Sequence, residues 1–128
     1  MSRVLVLDDD YDRHVTFRAL LLGHDIICCY TAEQAIDSLE KSPQFDLACL
    51  DHDLNSAQAA GIGDHESCGM DVAEHIIAMA PERRPKRVIV HSWNVDRAMK
   101  MAYLLHKAGV QVSRIPFSSA STMDLGRR

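Results

Sequence analysis

The sequence predicts an α/β fold in which a five-stranded parallel sheet lies between layers of helices. Short apolar runs rich in β-branched residues alternate along the chain with segments whose apolar residues recur at helical spacing. That alternation is typical of parallel strands joined by right-handed helical crossovers. The 128 residues suit one domain with a single core, and no repeat or low-complexity tract interrupts them.

The first part of the chain contains three predicted strands and two predicted helices. The strands are "RVLVL" (3–7), "DIICCY" (25–30) and "FDLACL" (45–50). Helical spacing over 11–22 comes from Val15, Ala19 and Leu22. Thr31 and Gln34, three residues apart, fit a capping box that begins the second helix.

The second part contains two more strands, two helices and a long loop. The strands are "KRVIVH" (86–91) and "VQVSRI" (110–115), and the helices are "MDVAEHIIAMA" (70–80) and the segment from Val95 to near Gly109. The polar, glycine-bearing stretch 51–69 is predicted to be a loop, and loops of this length are usually functional. After Phe117 the periodicity is weak, which predicts a truncated or irregular final helix.

Composition narrows the class of protein. A net charge of −4 and a pI near 5.9 give no general attraction to nucleic acid or to an anionic membrane. No apolar stretch approaches the roughly 20 residues of a membrane helix, and the N-terminus lacks the apolar region of a signal peptide. We therefore expect a cytoplasmic protein with no membrane partner.

The cysteines form no CxxC pair, which argues against a zinc knuckle. Cys49 is expected in the core, and Cys28 and Cys29 are expected on opposite strand faces.

Polar residues gather after three of the predicted strands. They are Asp8, Asp9 and Asp10 after the first, Asp51, His52 and Asp53 after the third, and His91, Ser92 and Asn94 after the fourth. In open α/β sheets, ligands bind at the carboxyl ends of the strands. If the strand order is 2-1-3-4-5, these three strand ends are neighbours and form one rim.

Several carboxylates in one pocket repel each other unless a cation or a shared proton intervenes. An oxygen-rich cluster of this kind suits Mg²⁺, which takes protein carboxylates, waters and a phosphate oxygen. The predicted metal ligands are Asp8, Asp9 and Asp51, with Asp53 and Asp10 as possible additional ligands. Asp10 also stands where the N-cap of the first helix belongs.

The two rim histidines are candidates for proton transfer. His52 and His91 could serve as general acid and base around a phosphodiester, or could only hydrogen-bond to backbone. Ser92 is expected to bind a phosphoryl oxygen through its hydroxyl. Asn94 stands at a helix start, where it could cap the helix or bind phosphate.

Other polar residues carry weaker signals. His65 and Cys68 could complete a transition-metal site with His52, although "HESC" has no established ligand spacing. Trp93 could stack on a base or pack in the core. Histidines 14, 24, 75 and 106 are interpreted as helix-surface or helix-end residues, and the basic run over 83–87 as a solvated edge.

From "VLVLDDD" to "IPF" the pattern resembles a response-regulator receiver domain. The resemblance implies a flavodoxin-like (CheY-like) three-layer sandwich with strand order 2-1-3-4-5, here a single receiver-like domain over 1–128 with a long loop at 52–69 and no output domain. It also implies Asp8 and Asp9 as the metal-binding pair, Asp51 as the phosphoacceptor, Ser92 as the hydroxyl that ends strand four, and Mg²⁺ or Mn²⁺ as the cofactor.

The chain departs from ordinary receivers in three ways. Receivers carry a lysine before the proline that follows strand five, whereas here Ile115 holds that position and Arg114 precedes it on the opposite strand face. The loop after Asp51 is longer than in receivers, and histidines occupy 52 and 91. The combination of "LDHDL", "GMDVAEHI" and "VHSWN" looks more like the cyclic-phosphate-processing receiver family, whose proposed role is to handle cyclic phosphates at RNA ends.

Three hypotheses follow for function. The first is a metal-dependent phosphoesterase or cyclic phosphodiesterase, in which Asp51, His52 and His91 act on a 2′,3′-cyclic phosphate or related phosphoester at an RNA end. The alternative is an atypical receiver in two-component signalling, phosphorylated on Asp51 by a histidine kinase or another phosphodonor. A degenerate receiver that binds a partner without phosphate chemistry is the third. Ile115 disfavours the second hypothesis, and the histidine pair favours the first.

Overall fold

A computed structural model describes residues 2–8, 10–51, 69–91 and 95–114, with residues 95–97 described by their backbone alone. Five parallel strands form one sheet in the order β2-β1-β3-β4-β5, as predicted. The strands are β1 (Arg3–Leu7), β2 (Asp25–Cys29), β3 (Leu47–Asp51), β4 (Val88–His91) and β5 (Val112–Arg114). The predicted strands 1 to 5 are therefore all present, some of them shorter than the apolar run that indicated them.

Four α-helices connect the strands within the described ranges: α1 (Tyr11–Leu20), α2 (Ala32–Lys41), α3 (Gly69–Ala78) and α4 (Val95–Lys107). A short 3₁₀ helix, Pro81–Arg83, lies between α3 and β4 and was not predicted. The predicted cap of α2 is confirmed, because the hydroxyl of Thr31 accepts a hydrogen bond from the backbone N–H of Gln34. None of these helices is long and apolar enough to cross a membrane.

The sheet separates two hydrophobic clusters. The major core is formed by one face of the sheet with α2, α3 and α4, and includes Leu5, Leu7, Ala48, Leu50, Val88 and Val90. The minor core is formed by the other face with α1, and consists of Val4, Val6, Phe17, Leu21, Leu47, Cys49 and Ile89. Helices on both faces of a parallel sheet give the predicted three-layer architecture.

Strand register brings three rim residues to one level. Leu7 of β1 pairs with Leu50 of β3, and Asp51 pairs with His91 of β4. Asp8 follows Leu7 directly, so it continues β1 beside Asp51. Side chains alternate between the two faces of a strand. Asp8, Asp51 and His91 therefore continue the series that ends in Val6, Cys49 and Ile89, on the side of the minor core and α1.

Helix α1 buries a different set of residues from the one that indicated it. Val15 is 48% exposed and Leu22 is 85% exposed, whereas His14, Phe17 and Leu21 are fully buried. The interpretation of His14 as a helix-surface residue is therefore wrong. His14, Phe17 and Leu21 share the i, i+3, i+7 spacing of one helix face. The same helix can be indicated by two apolar series, and only packing decides which of them faces the sheet.

The interpretation of the basic run as a solvated edge is wrong for Arg84, which is half-buried, whereas Arg83 is exposed and also bonds to backbone carbonyls. Arg84 donates hydrogen bonds at 2.7–3.1 Å to the carbonyl oxygens of Ile76, Ile77 and Ala108. Arg83 donates from Nη2 to carbonyl oxygens at the end of α2: Leu39, Glu40 and Ser42. The last carbonyls of a helix lack intrahelical partners, and a guanidinium can satisfy several of them. Both arginines therefore tie helix ends together.

The three described cysteines lie where the strand pattern places them. Cys29 packs in the major core, while the Sγ of Cys28 lies 3.4 Å from Nε of Arg18, consistent with opposite faces of β2. Cys49 is completely buried, as predicted, and burial raises the pKa of its thiol to about 12. Cys49 is therefore a core residue and not a reactive thiol.

Candidate functional site

The carboxyl ends of β1, β3 and β4 bring Asp8, Asp51 and His91 together. Their exposed fractions are 0%, 2% and 1%. The Nδ1 atom of His91 lies 3.8 Å from Oδ2 of Asp8, and the His91 ring packs against Phe17 with centroids 5.1 Å apart. Ionisable residues are seldom this deeply buried unless they are paired. Such a cluster at a sheet rim is therefore the candidate functional site.

The side chain of Asp8 is held through both of its oxygens. Its Oδ1 accepts a hydrogen bond from the backbone N–H of Asp10 at 2.9 Å, and its Oδ2 accepts one from Nε of Arg13 at 2.7 Å. Burial raises the pKa of Asp8, because desolvation disfavours the charged carboxylate more than Arg13 and the Asp10 N–H favour it. The two carboxylate oxygens of Asp8 are therefore held in fixed positions, and little solvent surrounds them.

Arg13 joins the carboxylates of two strands. Besides the bond from Nε to Asp8, its Nη2 donates to Oδ2 of Asp51 at 3.3 Å, and the side chain is only 16% exposed. Burial alone would lower the pKa of Arg13, but the hydrogen bond to Asp8 and the charges of the nearby aspartates raise it. The guanidinium is therefore a permanent positive charge between Asp8 and Asp51.

The sequence reasoning missed Arg13. A usable signal was present, because Arg13 lies four residues before the buried Phe17 and three after the N-cap Asp10. Residues at i and i+4 share a helix face. A cation on the buried face of the first turn, next to an acidic strand end, indicates a partner in that rim. The residues that indicated α1, Val15, Ala19 and Leu22, are exposed, so they do not mark the helix face on which Arg13 lies.

Asp10 acts as the N-cap of α1. Its side chain accepts a hydrogen bond from the backbone N–H of Asp12 at 2.8 Å and is 45% exposed. The capping interpretation is therefore confirmed. Oδ2 of Asp10 also lies 3.9 Å from Nη1 of Arg13. Its role as an additional metal ligand stays a prediction.

His14 hydrogen-bonds to the backbone at the end of the first strand. Its Nε2 lies 2.7 Å from the carbonyl oxygen of Asp8, and since a carbonyl only accepts, Nε2 carries the proton and donates it. The His14 ring also packs on Tyr30, with centroids 4.3 Å apart. This contact fixes the backbone at Asp8 against α1 and the end of β2. His14 is thus part of the support of the site.

Several predicted site residues lie outside the described part of the chain: Asp9, His52, Asp53, His65, Cys68, Ser92, Trp93, Asn94 and Ile115. Their predicted roles stay predictions. Arg114, considered as a replacement for the receiver lysine, is exposed at the end of the edge strand β5. Among the described cations, Arg13 is the one in contact with Asp51.

The donor chemistry of the rim fits a hard divalent cation. Asp8 and Asp51 present carboxylate oxygens from adjacent strands, and Mg²⁺ commonly binds one or two protein carboxylates together with waters and phosphate oxygens. Within the described ranges no group of three His, Cys, Asp or Glu side chains could hold a metal, and the predicted third ligand, Asp9, lies outside them. The two described carboxylates are held by Arg13.

Several solved structures with a similar fold are response-regulator proteins. A CheY-like receiver domain protein from Methanospirillum hungatei JF-1 has a TM-score of 0.64 at 22% identity, covering 91% of this chain and 81% of its own. The Mn²⁺-bound form of response regulator Rcp1 has a TM-score of 0.66 at 17% identity, covering 95% and 91%. A Burkholderia pseudomallei response regulator with a phosphorylated aspartic acid, calcium ion and citrate has a TM-score of 0.64 at 16% identity. The match to that regulator covers 91% of this chain and 59% of the regulator.

Identities below 25% show a common fold and not a common activity. No relative was found among the curated proteins. A family match is more specific, because residues 3–107 fit the model of the cyclic-phosphate processing receiver domain. The matched region runs from β1 to the end of α4 and contains Asp8, Arg13, Asp51 and His91. The chain therefore belongs to the cyclic-phosphate processing receiver domain family.

Proposed function

We propose that this chain is a divalent-metal-dependent phosphoesterase that acts on a cyclic phosphate, with the 2′,3′-cyclic phosphate of an RNA end as its substrate class. One observation carries the proposal. Two buried carboxylates and a buried histidine, Asp8, Asp51 and His91, meet at the carboxyl edge of the sheet in a member of this family. Ligands of open α/β sheets bind at that edge.

Asp8 and Asp51, together with Asp9, which follows Asp8 in the sequence, would hold the cation. When Mg²⁺ or Mn²⁺ is bound, it would polarise the phosphate and stabilise the charge that develops on it. Ser92 and Asn94 come shortly after His91 in the sequence, and His91 is the residue that pairs with Asp51. Their side chains would hold phosphoryl oxygens. The substrate would thus lie across the ends of β1, β3 and β4.

Hydrolysis requires two proton transfers. The oxygen of a water molecule forms a bond to phosphorus and gives up a proton, while the bond from phosphorus to one ribose oxygen breaks and that oxygen takes up a proton. His52 and His91 would perform these transfers as base and acid. Packing against Phe17 restricts the ring of His91, whose Nδ1 lies 3.8 Å from Oδ2 of Asp8. A fixed ring lowers the cost of placing the proton correctly.

The proposal is tested by hydrolysis of a 2′,3′-cyclic nucleotide in the presence of Mg²⁺ or Mn²⁺. His52→Ala and His91→Gln are expected to lower kcat by about 100-fold or more, the usual range for loss of a general acid or base. His106→Ala is the matched control, because His106 is exposed near the end of α4. If both rim variants keep wild-type kcat, the histidine mechanism is wrong.

A second candidate function is phosphorylation of Asp51 in signalling. Asp51 ends the central strand β3 in a fold shared with a response regulator whose structure contains a phosphorylated aspartic acid. A histidine kinase or a small phosphodonor would then be the partner. Incubation with acetyl phosphate and Mg²⁺, followed by intact mass measurement of wild type and Asp51→Asn, separates the candidates. A stable acyl phosphate that Asp51→Asn abolishes would favour signalling over hydrolysis.

A further inference from the structure

Arg13 contacts the same carboxylate oxygens that a bridging cation would use. Its Nε donates to Oδ2 of Asp8 at 2.7 Å, and its Nη2 donates to Oδ2 of Asp51 at 3.3 Å. These oxygens belong to adjacent strands, β1 and β3, and both carboxylates are almost fully buried. One guanidinium thus occupies the place between the two strand ends.

A guanidinium and a divalent cation cannot both bind there without a cost. The N–H groups of Arg13 point at the lone pairs that would coordinate a metal, and two positive charges a few ångströms apart repel each other strongly where solvent is scarce. Without any cation, Asp8 and Asp51 would repel each other instead. The site therefore needs a positive charge, and either Arg13 or a metal can supply it.

We infer that Arg13 is a resident cation of the rim, which holds Asp8 and Asp51 when no metal is bound and competes with the divalent cation for them. The inference rests on the metal site of the proposed function. Metal binding would be coupled to withdrawal of the guanidinium from the two carboxylates. Asp10 offers a nearby place for it, because its half-exposed carboxylate already lies 3.9 Å from Nη1 of Arg13.

The test is Mn²⁺ binding to the full chain, measured by isothermal titration calorimetry in the absence of substrate. Arg13→Gln is expected to bind Mn²⁺ at least tenfold more tightly than wild type. Arg13→Lys keeps the positive charge and is expected to bind nearly as weakly as wild type. Arg18→Gln is the matched control, because Arg18 lies on the exposed side of the same helix and should leave Mn²⁺ affinity unchanged.

Equal or weaker binding of Mn²⁺ by Arg13→Gln would overturn the inference, and so would Arg13→Lys binding as tightly as Arg13→Gln. Because Arg13→Gln leaves two buried carboxylates without their cation, its stability without metal is expected to fall. Thermal unfolding at increasing Mn²⁺ concentrations therefore provides a second test. The Tm of Arg13→Gln is expected to rise more than the Tm of wild type. An equal or smaller rise would contradict competition between Arg13 and the metal.

The failure of this inference is separable from the failure of the proposed function. Tighter Mn²⁺ binding by Arg13→Gln in a protein that does not hydrolyse cyclic phosphate would support competition and reject the hydrolase. If hydrolysis requires a metal but Arg13→Gln leaves the Mn²⁺ affinity unchanged, the hydrolase is supported and the competition is rejected.

Discussion

At the scale of single residues, the rim is distinguished by the burial of its ionisable side chains. Asp8 has no exposed surface, yet it keeps a backbone N–H and a guanidinium as partners. Removal of one member of a buried ion pair usually destabilises a protein by about 3–5 kcal/mol, because the remaining charge is left without compensation. The site residues are therefore also structural residues, and each functional variant needs a folding control.

A substitution at His14 tests the stability of the fold, because His14 supports the site without being one of its proposed metal-binding or catalytic residues. His14→Ala removes a buried ring from Tyr30 and leaves the carbonyl oxygen of Asp8 without its donor. The expected loss is about 2–4 kcal/mol in the free energy of unfolding. Urea denaturation measures it, with His106→Ala as the control. A loss below about 0.5 kcal/mol would mean that His14 lies at the surface after all.

Asp46 gives a prediction about pH. The backbone N–H of Arg3 donates to its Oδ2 at 2.9 Å and, with Lys86, keeps the pKa of Asp46 below its ordinary value. A lowered folded pKa contributes stability that is present above the unfolded value near 3.8 and is lost as the pH falls through the folded value. Asp46→Asn should therefore be less stable than wild type at pH 7, by no more than about 1 kcal/mol for this partly exposed group.

Urea denaturation of wild type and Asp46→Asn at pH 7 and at pH 3 measures this difference. The difference is expected to be smaller at pH 3, because the carboxylate of the unfolded chain, with a pKa near 3.8, is then largely protonated. A difference that grows as the pH falls would contradict the sign of the pKa change.

At the scale of elements, caps and strand ends could be predicted because their signals are local. Thr31 and Gln34 predicted the start of α2, and the polar residues after each apolar run predicted the ends of β1 and β3. The buried face of α1 could not be predicted in the same way, since two series of residues fit helical spacing. Only the contact of Phe17 with the sheet selects one series, and that selection places Arg13 against Asp8.

The cap of α2 supplies a prediction at this scale. Thr31→Ala removes the hydroxyl that accepts from the N–H of Gln34 at 3.1 Å. A loss of about 1 kcal/mol is expected, because that N–H has no partner within the helix. Thr31→Ser retains the acceptor and is the matched control in urea denaturation. Equal stability of Thr31→Ala and Thr31→Ser would show that the cap contributes nothing.

At the scale of the whole molecule, the sheet separates the major core from the proposed site. The major core holds three helices against one face, whereas the rim residues point to the other face, where α1 covers the minor core. The rim could be predicted, because parallel strands joined by crossovers place their carboxyl ends along one edge, whereas the strand order was expected from the resemblance to receiver domains. The contact of Arg13 in α1 with the rim could not be predicted, since it depends on which face of α1 packs against the sheet.

The central claim is that the rim hydrolyses a cyclic phosphate with the aid of a divalent cation. The most direct measurement is ³¹P NMR of a 2′,3′-cyclic nucleotide incubated with the full chain and Mg²⁺ or Mn²⁺. The cyclic phosphate signal should give way to that of a phosphomonoester, stop changing when EDTA is added, and resume when the cation is restored in excess. A cyclic phosphate signal that persists with both cations and the folded wild-type protein would contradict the claim.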